Sequence, residues 1–513
     1  MLLLPKVLAC QMRKGCEPSQ RMAVKMAEKA KVGVFGIGLA AYWPQFHGLK
    51  ERLEGYQRRV EERLGEWAAV ISAGLVDDAP TAEEAAQAFL CERVDLIFCY
   101  VGTYATSSQV LPVVQKSKTP VVVLNLQPRA ALDYAHTDTG EWLANCSACC
   151  VPEISCAFAR SGIPFRQVSG MLEPEADVHE PSELAWAEIQ EWCEAAKVVH
   201  NLRKARIGFL GHPYPGMLDM YSDFTQHQAQ LGTHIEVLEM CDLYERVRAV
   251  SDAEVVQKME ETRAIFEISQ DSPSDPLAKK PAPEEMDWAC RVAVALDRLA
   301  EDFDLDGLAY YYRGVPGNPY ERLGAGLILG CSLLTARGIP CSGEADLKNC
   351  QAMKIMDLLG AGGSYTELYA MDFRERFILM GHDGPFHLGI AEGRPVLRGL
   401  GLYHGKAGHG VSVEASVRKG PITILGLTQT RDGRLKLLAA EGESLAGERL
   451  KIGNTNSRLR FGLEPAPFIN AWCSEGPTHH CALGIGHILG KIEKVAWLTG
   501  LELSIIGGGD GRS

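Results

Sequence analysis

The chain has 513 residues, 46% apolar and 23% charged, the composition of an ordinary globular protein. One hydrophobic core does not keep growing to that length, so about two to four domains are expected. The formal charge of −13 and the lack of any Lys/Arg run exclude a surface built to neutralise nucleic-acid phosphates, and no stretch reaches the roughly 18 uninterrupted apolar residues of a membrane span.

At the start, MLLLPKVLAC offers a lipoprotein-like Val7-Leu8-Ala9-Cys10. The cysteine comes too early, however, and Lys6 interrupts a short apolar run with no basic segment before it. The sixteen cysteines are scattered, often in apolar contexts, as buried thiols are in a reducing compartment, so a cytoplasmic protein is expected.

Residues 32–130 alternate apolar runs (KVGVFGIG, AAVISAGLVD, DLIFCYV, PVVVLNLQP) with helical stretches, which predicts an open parallel α/β sheet of flavodoxin-like or Rossmann-like kind. A helical connection over 182–202 leads to a second series. It comprises the strand RIGFLGHP, a polar helix, the strand THIEVLEM, helices around 252–268 and 284–303, the strand GLAYYYR and an apolar helix near 320–337. The Pro- and Ser-rich segment 269–285 between them reads as an exposed loop. From about residue 385, Gly-punctuated alternation predicts short strands closing into a small antiparallel barrel or sandwich. Residues 479–500 then read as a final helix with Leu483, Ile485, Ile488, Leu489, Ile492, Val495 and Ala496 on its buried face. The expected domains are thus 1–190 (α/β), 191–345 (α/β) and 346–513 (β-rich, barrel-like).

Two motifs have competing readings. Gly36-Ile37-Gly38-Leu39-Ala40-Ala41 fits a loose dinucleotide fingerprint, which would make a nicotinamide-dependent oxidoreductase. Bulky Tyr42, Trp43 and Phe46 follow directly, and the first acids at a second strand end, Asp77 and Asp78, lie far beyond the customary offset of roughly 20 residues. A turn presenting Tyr42, Trp43 and Gln45 at the carboxyl edge of a sheet is the better reading, because sugars favour aromatic faces and amide hydrogen bonds. Cys146, Cys149, Cys150 and Cys156 contain one C-x-x-C without the second pair of a structural zinc site, which favours a plain thiol cluster.

Glu344, Glu367, His382 and His480 each end an apolar run, where a side chain can reach out of a packed scaffold. If they converge, they offer two carboxylates and two imidazoles to one divalent ion. Taken singly, each has a plain structural role: Glu344 as a first-turn acid, Glu367 and Asp372 as solvated strand-end acids, His382 as a hydrogen-bonded loop residue after its strand, and His479-His480 as exposed residues at a helix start. The order S-G-E-A-D at 342–346, S-Y-T-E-L-Y at 364–369, L-M-G-H at 379–382 and H-H at 479–480 resembles the L-arabinose isomerase and L-fucose isomerase superfamily, nearest to the arabinose enzymes. Those carry G-E-x-D, S-F-M-E-D-Y, L-G-S-H and a late H-H-T.

The resemblance spans nearly the whole chain. It implies a metal held by Glu344, Glu367, His382 and His480, with Glu344 and Glu367 also moving protons. It further implies Mn2+ or another divalent ion such as Mg2+ or Co2+, and a homo-oligomer, trimer, tetramer or hexamer, acting on a small-molecule sugar. Tyr42, Gln45, Met217, Tyr312 and His479 become candidates for sugar contacts. The family's N-terminal G-S-Q-H-L-Y-G segment is replaced here by FGIGLAAYWPQF, so the identity of the pentose or hexose stays open. The activity implied is aldose–ketose isomerisation through an enediolate; a catalytically silent sugar-binding protein of the same fold is the alternative.

Overall fold

The computed structural model describes residues 25–271, 275, 277–315, 317–400 and 410–507. The lipoprotein-like Cys10, part of the 269–285 loop and part of the strand expected after residue 394 lie outside the described residues. The described residues form two compact units, 27–201 and 202–507, the latter with residues 25 and 26.

In the smaller unit, β1 (Lys31–Ile37), β2 (Ala69–Val76), β3 (Leu96–Tyr100), β4 (Val121–Gln127) and β5 (Phe165–Met171) form a parallel sheet in the order β2-β1-β3-β4-β5, the flavodoxin-like sequence of strands. All five residues of β3, Leu96-Ile97-Phe98-Cys99-Tyr100, are buried, as a parallel strand covered on both faces requires. The helix Leu49–Leu64 buries Leu49, Leu53, Gln57, Val60 and Leu64, one stripe at helical spacing. The helix Ala79–Glu92 starts at Asp78, whose carboxylate accepts from Thr81 N at 2.9 Å in a capping box. The sequence pattern did not mark β5. Its FRQVSGM run buries Val168 and Met171 but leaves Arg166, Gln167 and Ser169 exposed, so no apolar run announces it.

The larger unit begins with a second parallel sheet in the order β11-β10-β6-β7, from β6 (Arg206–Gly211), β7 (His234–Leu238), β10 (Gly307–Tyr311) and β11 (Cys341–Ser342). Two short strands, β8 (Glu267–Ile268) and β9 (Ala278–Lys279), pair with β14 (Val396–Leu400), which also pairs with β15 (Gly410–Glu414).

Six strands then close an antiparallel barrel: β12 (Gly362–Asp372), β13 (Phe377–His382), β16 (Gly420–Gln429), β17 (Leu435–Leu445), β18 (Thr455–Phe461) and β19 (His480–Ile485). Their order is β16-β19-β12-β13-β18-β17, and pairing of β16 with β17 along their lengths completes the ring. β20 (Glu502–Ile505) adds parallel to β17. One apolar core runs under sheet, helices and barrel, from Leu210 and Leu296 through Leu329 to Ile424, Phe468 and Ile506.

Two expectations are corrected. The barrel begins with β12 at Gly362, ahead of the change of texture near residue 385. Residues 479–500 are not one helix: Cys481, Ala482 and Leu483 pair with β12 and β16, and the helix starts only at Leu489. Gly484 and Gly486 disfavour helix there, and Gly486 takes φ +89° at the end of the strand. Among the described residues, no helix is long and apolar enough to cross a membrane.

Candidate metal centre

Three neighbouring barrel strands and one tight turn in the larger unit bring the candidate ligands together. Glu367 lies in β12 opposite His480 of β19 and opposite Gly381 of β13, next to His382 at that strand's end. Side chains directly opposite in an antiparallel pair share a face, so the register itself delivers Glu367 and His480 to one point. Glu344 arrives from the turn after β11. Glu344 and the next residue, Ala345, both adopt left-handed backbone at φ +57°, a conformation that costs roughly 1–2 kcal/mol for a residue with a Cβ. The turn is braced by Tyr214 N donating to Glu344 O at 3.1 Å and Asp346 N donating to Gly343 O at 3.0 Å.

At the centre, His480 Nε2 lies 3.2 Å from His382 Nε2 and 3.5 Å from Glu344 Oε2, while His382 Nε2 lies 3.7 Å from Glu367 Oε1. Two triads therefore converge on His480: Glu344 with His479, and Glu367 with His382. Donors around one octahedral ion at about 2.1 Å stand roughly 3 Å apart along an edge, close to these spacings. His480 is fully buried, and its Nδ1 faces Asp346 Oδ2 at 3.0 Å. An imidazole that donates through one nitrogen to a carboxylate presents the other as a lone pair, the usual support of a metal-bound histidine. Burial, aided by the nearby His382, pushes His480 down to about 4 against the opposing pull of Asp346, so it is neutral at neutral pH. The donor set, two carboxylates beside facing imidazole nitrogens, thus fits a divalent cation.

The carboxylates differ. Burial raises Glu367 above its ordinary range, and the neighbouring charge of Glu344 adds to that, while His382 and His479 oppose it. Burial also works on Glu344, but the hydrogen bond from His479 and that ring's positive charge outweigh it and hold Glu344 low. His479 sits between two acids: Nδ1 is 2.6 Å from Asp219 Oδ2 and Nε2 is 3.2 Å from Glu344 Oε2. Despite its burial, those bonds raise His479 to about 10.

A cavity of about 330 Å³ opens beside the cluster, lined on one side by Glu344, Tyr365 and His382 and on another by Tyr310, Tyr312 and Arg313. Of the candidate sugar contacts, Tyr312 faces this cavity. Met217 lies on the turn that carries Asp219, its N–H donating to Tyr214 O at 3.3 Å. Tyr42 and Gln45 belong to the smaller unit, where Tyr42 packs edge-on against Phe46 and Gln45 Nε2 donates to Ala41 O at 2.7 Å.

Sequence reasoning missed three participants. Asp346 stood inside the S-G-E-A-D motif and doubles as the N-cap of the helix Leu347–Leu358. Tyr365, also inside a motif, places its hydroxyl 2.7 Å from His480 Nε2. Asp219 had no local signal. Asp372, the other strand-end acid, lies half-buried at the far end of β12, accepting from Arg374 N and Glu375 N at 2.8 Å each.

The sugar-isomerase resemblance has a counterpart in known proteins. No family model matches the chain. An L-arabinose isomerase from Nocardioides sp. is 24% identical over 431 residues, covering 80% of both chains. Its counterpart from Acidothermus cellulolyticus is 24% identical over 403 residues, 75% of each chain. That from Clavibacter sepedonicus is 22% identical over 480 residues, 89% of this chain and 88% of its own. This chain is a divergent relative of the L-arabinose isomerases. A periplasmic solute-binding protein from Actinobacillus succinogenes with bound D-allose covers 61% of this chain and 78% of its own at 11% identity, with a TM-score of 0.16 that carries no argument about either fold or ligand.

The remaining motifs have local explanations. A Cβ on Gly38 would stand 2.8 Å from the Trp43 ring, and one on Gly36 would collide with the Gln57 amide, so these glycines make room for the unit's own side chains. Among the cysteines, Cys150 is buried with Sγ 3.6 Å from Thr103 O, and Cys149 and Cys156 are exposed free thiols.

Proposed function

We propose that the protein is a divalent-metal-dependent aldose–ketose isomerase acting on an open-chain pentose or hexose. The observation that carries this reading is that Glu344 on one side and Glu367 with His382 on the other meet at His480, in a chain related to proteins named L-arabinose isomerase. These four residues would hold Mn2+, or alternatively Mg2+ or Co2+. When bound, such an ion polarises a sugar carbonyl and stabilises the negative charge that develops beside it.

The protein's own groups do the rest. Isomerisation moves one proton between C1 and C2 and another between the two oxygens. Glu367, with its carboxyl raised by burial, is suited to take and return the carbon-bound proton. Glu344, kept ionised by His479, serves the oxygen-bound proton on the other side. Carboxylates pushed apart in this way divide acid and base roles between them. Tyr312, on the cavity wall, offers apolar surface to the carbon chain. The cavity is at the small end of the roughly 300–1,000 Å³ typical of ligand sites, which suits one open-chain monosaccharide. We further propose a cytoplasmic homo-oligomer, for which sedimentation should give a multiple of the 56.0 kDa chain mass.

The test is a panel of pentose and hexose aldoses incubated in D2O with Mn2+-loaded protein and followed by NMR. A ketose should form from at least one aldose. Formation of no ketose from any member would overturn the reading.

A further inference from the structure

The candidate metal-site residues do not stand alone, and one contact that ties them to the turn after β6 is the Asp219–His479 pair. Asp219 lies in the short helical turn Leu218–Met220 after β6, far in sequence from His479. A single oxygen, Oδ2, accepts both from His479 N at 3.0 Å and from His479 Nδ1 at 2.6 Å. Two donors of one residue on one acceptor fix both the backbone and the ring plane. The other ring nitrogen then points at Glu344 Oε2, 3.2 Å away. Both ring nitrogens face carboxylates, which when ionised only accept, so the ring serves as donor at each end.

We propose that Asp219 is a positioning residue that fixes His479, so that His479 in turn orients the Glu344 carboxylate towards the metal position. This rests on the proposed function only in taking Glu344 as a metal ligand. The arrangement is an outer-shell support on the carboxylate side of the site, matching the support that Asp346 gives His480 at 3.0 Å. It also anchors the turn bearing Met217. That turn is held to the site at two points, by Asp219 and by Tyr214 N on Glu344 O. The ring of His479 packs at 3.7 Å from that of His480, so a reoriented His479 would disturb both triads at once.

The experiment uses full-length protein, Mn2+ titration and 15N-histidine NMR. His479 Nδ1–H should give a low-field proton resonance, assigned by its loss in His479→Gln. Asp219→Ala should abolish it and weaken Mn2+ binding roughly tenfold, the lower end of the ~10–100-fold typical of outer-shell partners. Asp219→Asn keeps a neutral acceptor, so it should retain the resonance, shifted, and most of the affinity; it carries the test if Asp219→Ala does not fold. In a double-mutant cycle, Asp219→Ala should add nothing on the background of His479→Gln. An unchanged resonance and Mn2+ affinity in Asp219→Ala, additive losses in the cycle, or equal losses in the Asn and Ala variants would overturn the proposal. Neither readout involves a sugar, so a failed aldose panel leaves this result standing and a failed cycle leaves the isomerase reading standing.

Discussion

Both units build a parallel sheet in which the first strand lies between the second and third, and they use the carboxyl edge of that sheet in opposite ways. Ligands of open α/β sheets bind at this edge, where the strand order reverses. In the smaller unit the edge is filled by its own side chains. Trp43 packs over Gly38, its indole N–H donates to Asp77 at 2.7 Å, and Lys50 pairs with the same carboxylate at 3.0 Å. In the larger unit β10 runs into Tyr310–Arg313 and β11 into Glu344, and both line an open cavity beside the histidines of the barrel. The strand order alone therefore does not make a site. What differs is whether the turn after the strand packs inward or is held open, and at Glu344 it is held open by strained backbone braced from Tyr214 and His479.

The comparison can be broken at its chemical end first. Glu367→Gln keeps size and an oxygen donor but removes the basic carboxylate, so turnover should fall by about 10²-fold or more while the melting temperature holds. Near-normal turnover would take the carbon-bound proton away from Glu367. His480→Ala removes a donor that two triads share, so Mn2+ affinity should fall by at least roughly 10-fold in calorimetric titration, with excess Mn2+ restoring part of the activity.

The larger unit should also register acid. His227 is buried, and that burial pushes it down to about 4 despite its bond to Gln351. Its folded value lies below the unfolded one, so the unfolded chain takes up the proton first. Stability is then complete above pH 6.5 and declines as pH falls towards 4, by at most about 1.4 kcal/mol per unit. Denaturant midpoints measured across that window should flatten in a folded His227→Gln variant; an identical slope would remove His227 as the cause.

The smallest effect sharpens the other half of the comparison. Trp43→Phe deletes the indole donor to Asp77 and should cost the smaller unit about 1–2 kcal/mol in chemical unfolding. NAD(H) and NADP(H) should show no saturable binding below millimolar concentration to the parent protein, since Trp43 occupies the space beside Gly38 that a pyrophosphate would need. A micromolar isotherm would reverse this reading of the edge.

Legibility followed burial. Strands covered on both faces, such as β3 and β10, stood out as apolar runs, whereas the edge strand β5, with Arg166 and Gln167 exposed, did not. β12 hid because only its first half is buried, while Glu367, Leu368 and Tyr369 are half-buried and Ala370 and Met371 exposed. The helix placed over 479–500 arose because Leu483 and Ile485 satisfy a period of two as well as a helical face, and only pairing with β12 and β16 decides between them. The four candidate ligand positions were legible through ordered motifs. Their partners were less so: Asp346 and Tyr365 sat within those motifs without a visible role, and Asp219 is joined to His479 only by the fold.

The central claim is that a divalent ion at Glu344, Glu367, His382 and His480 is required for isomerisation. The most direct measurement is ketose formation by chelator-stripped protein, with metal content verified by elemental analysis before and after Mn2+ is returned. Activity should vanish on stripping and return with Mn2+ in proportion to bound metal, and Ca2+, whose larger coordination sphere suits this mixed nitrogen and oxygen set poorly, should restore it less. Full activity in protein shown to be free of metal would contradict the account.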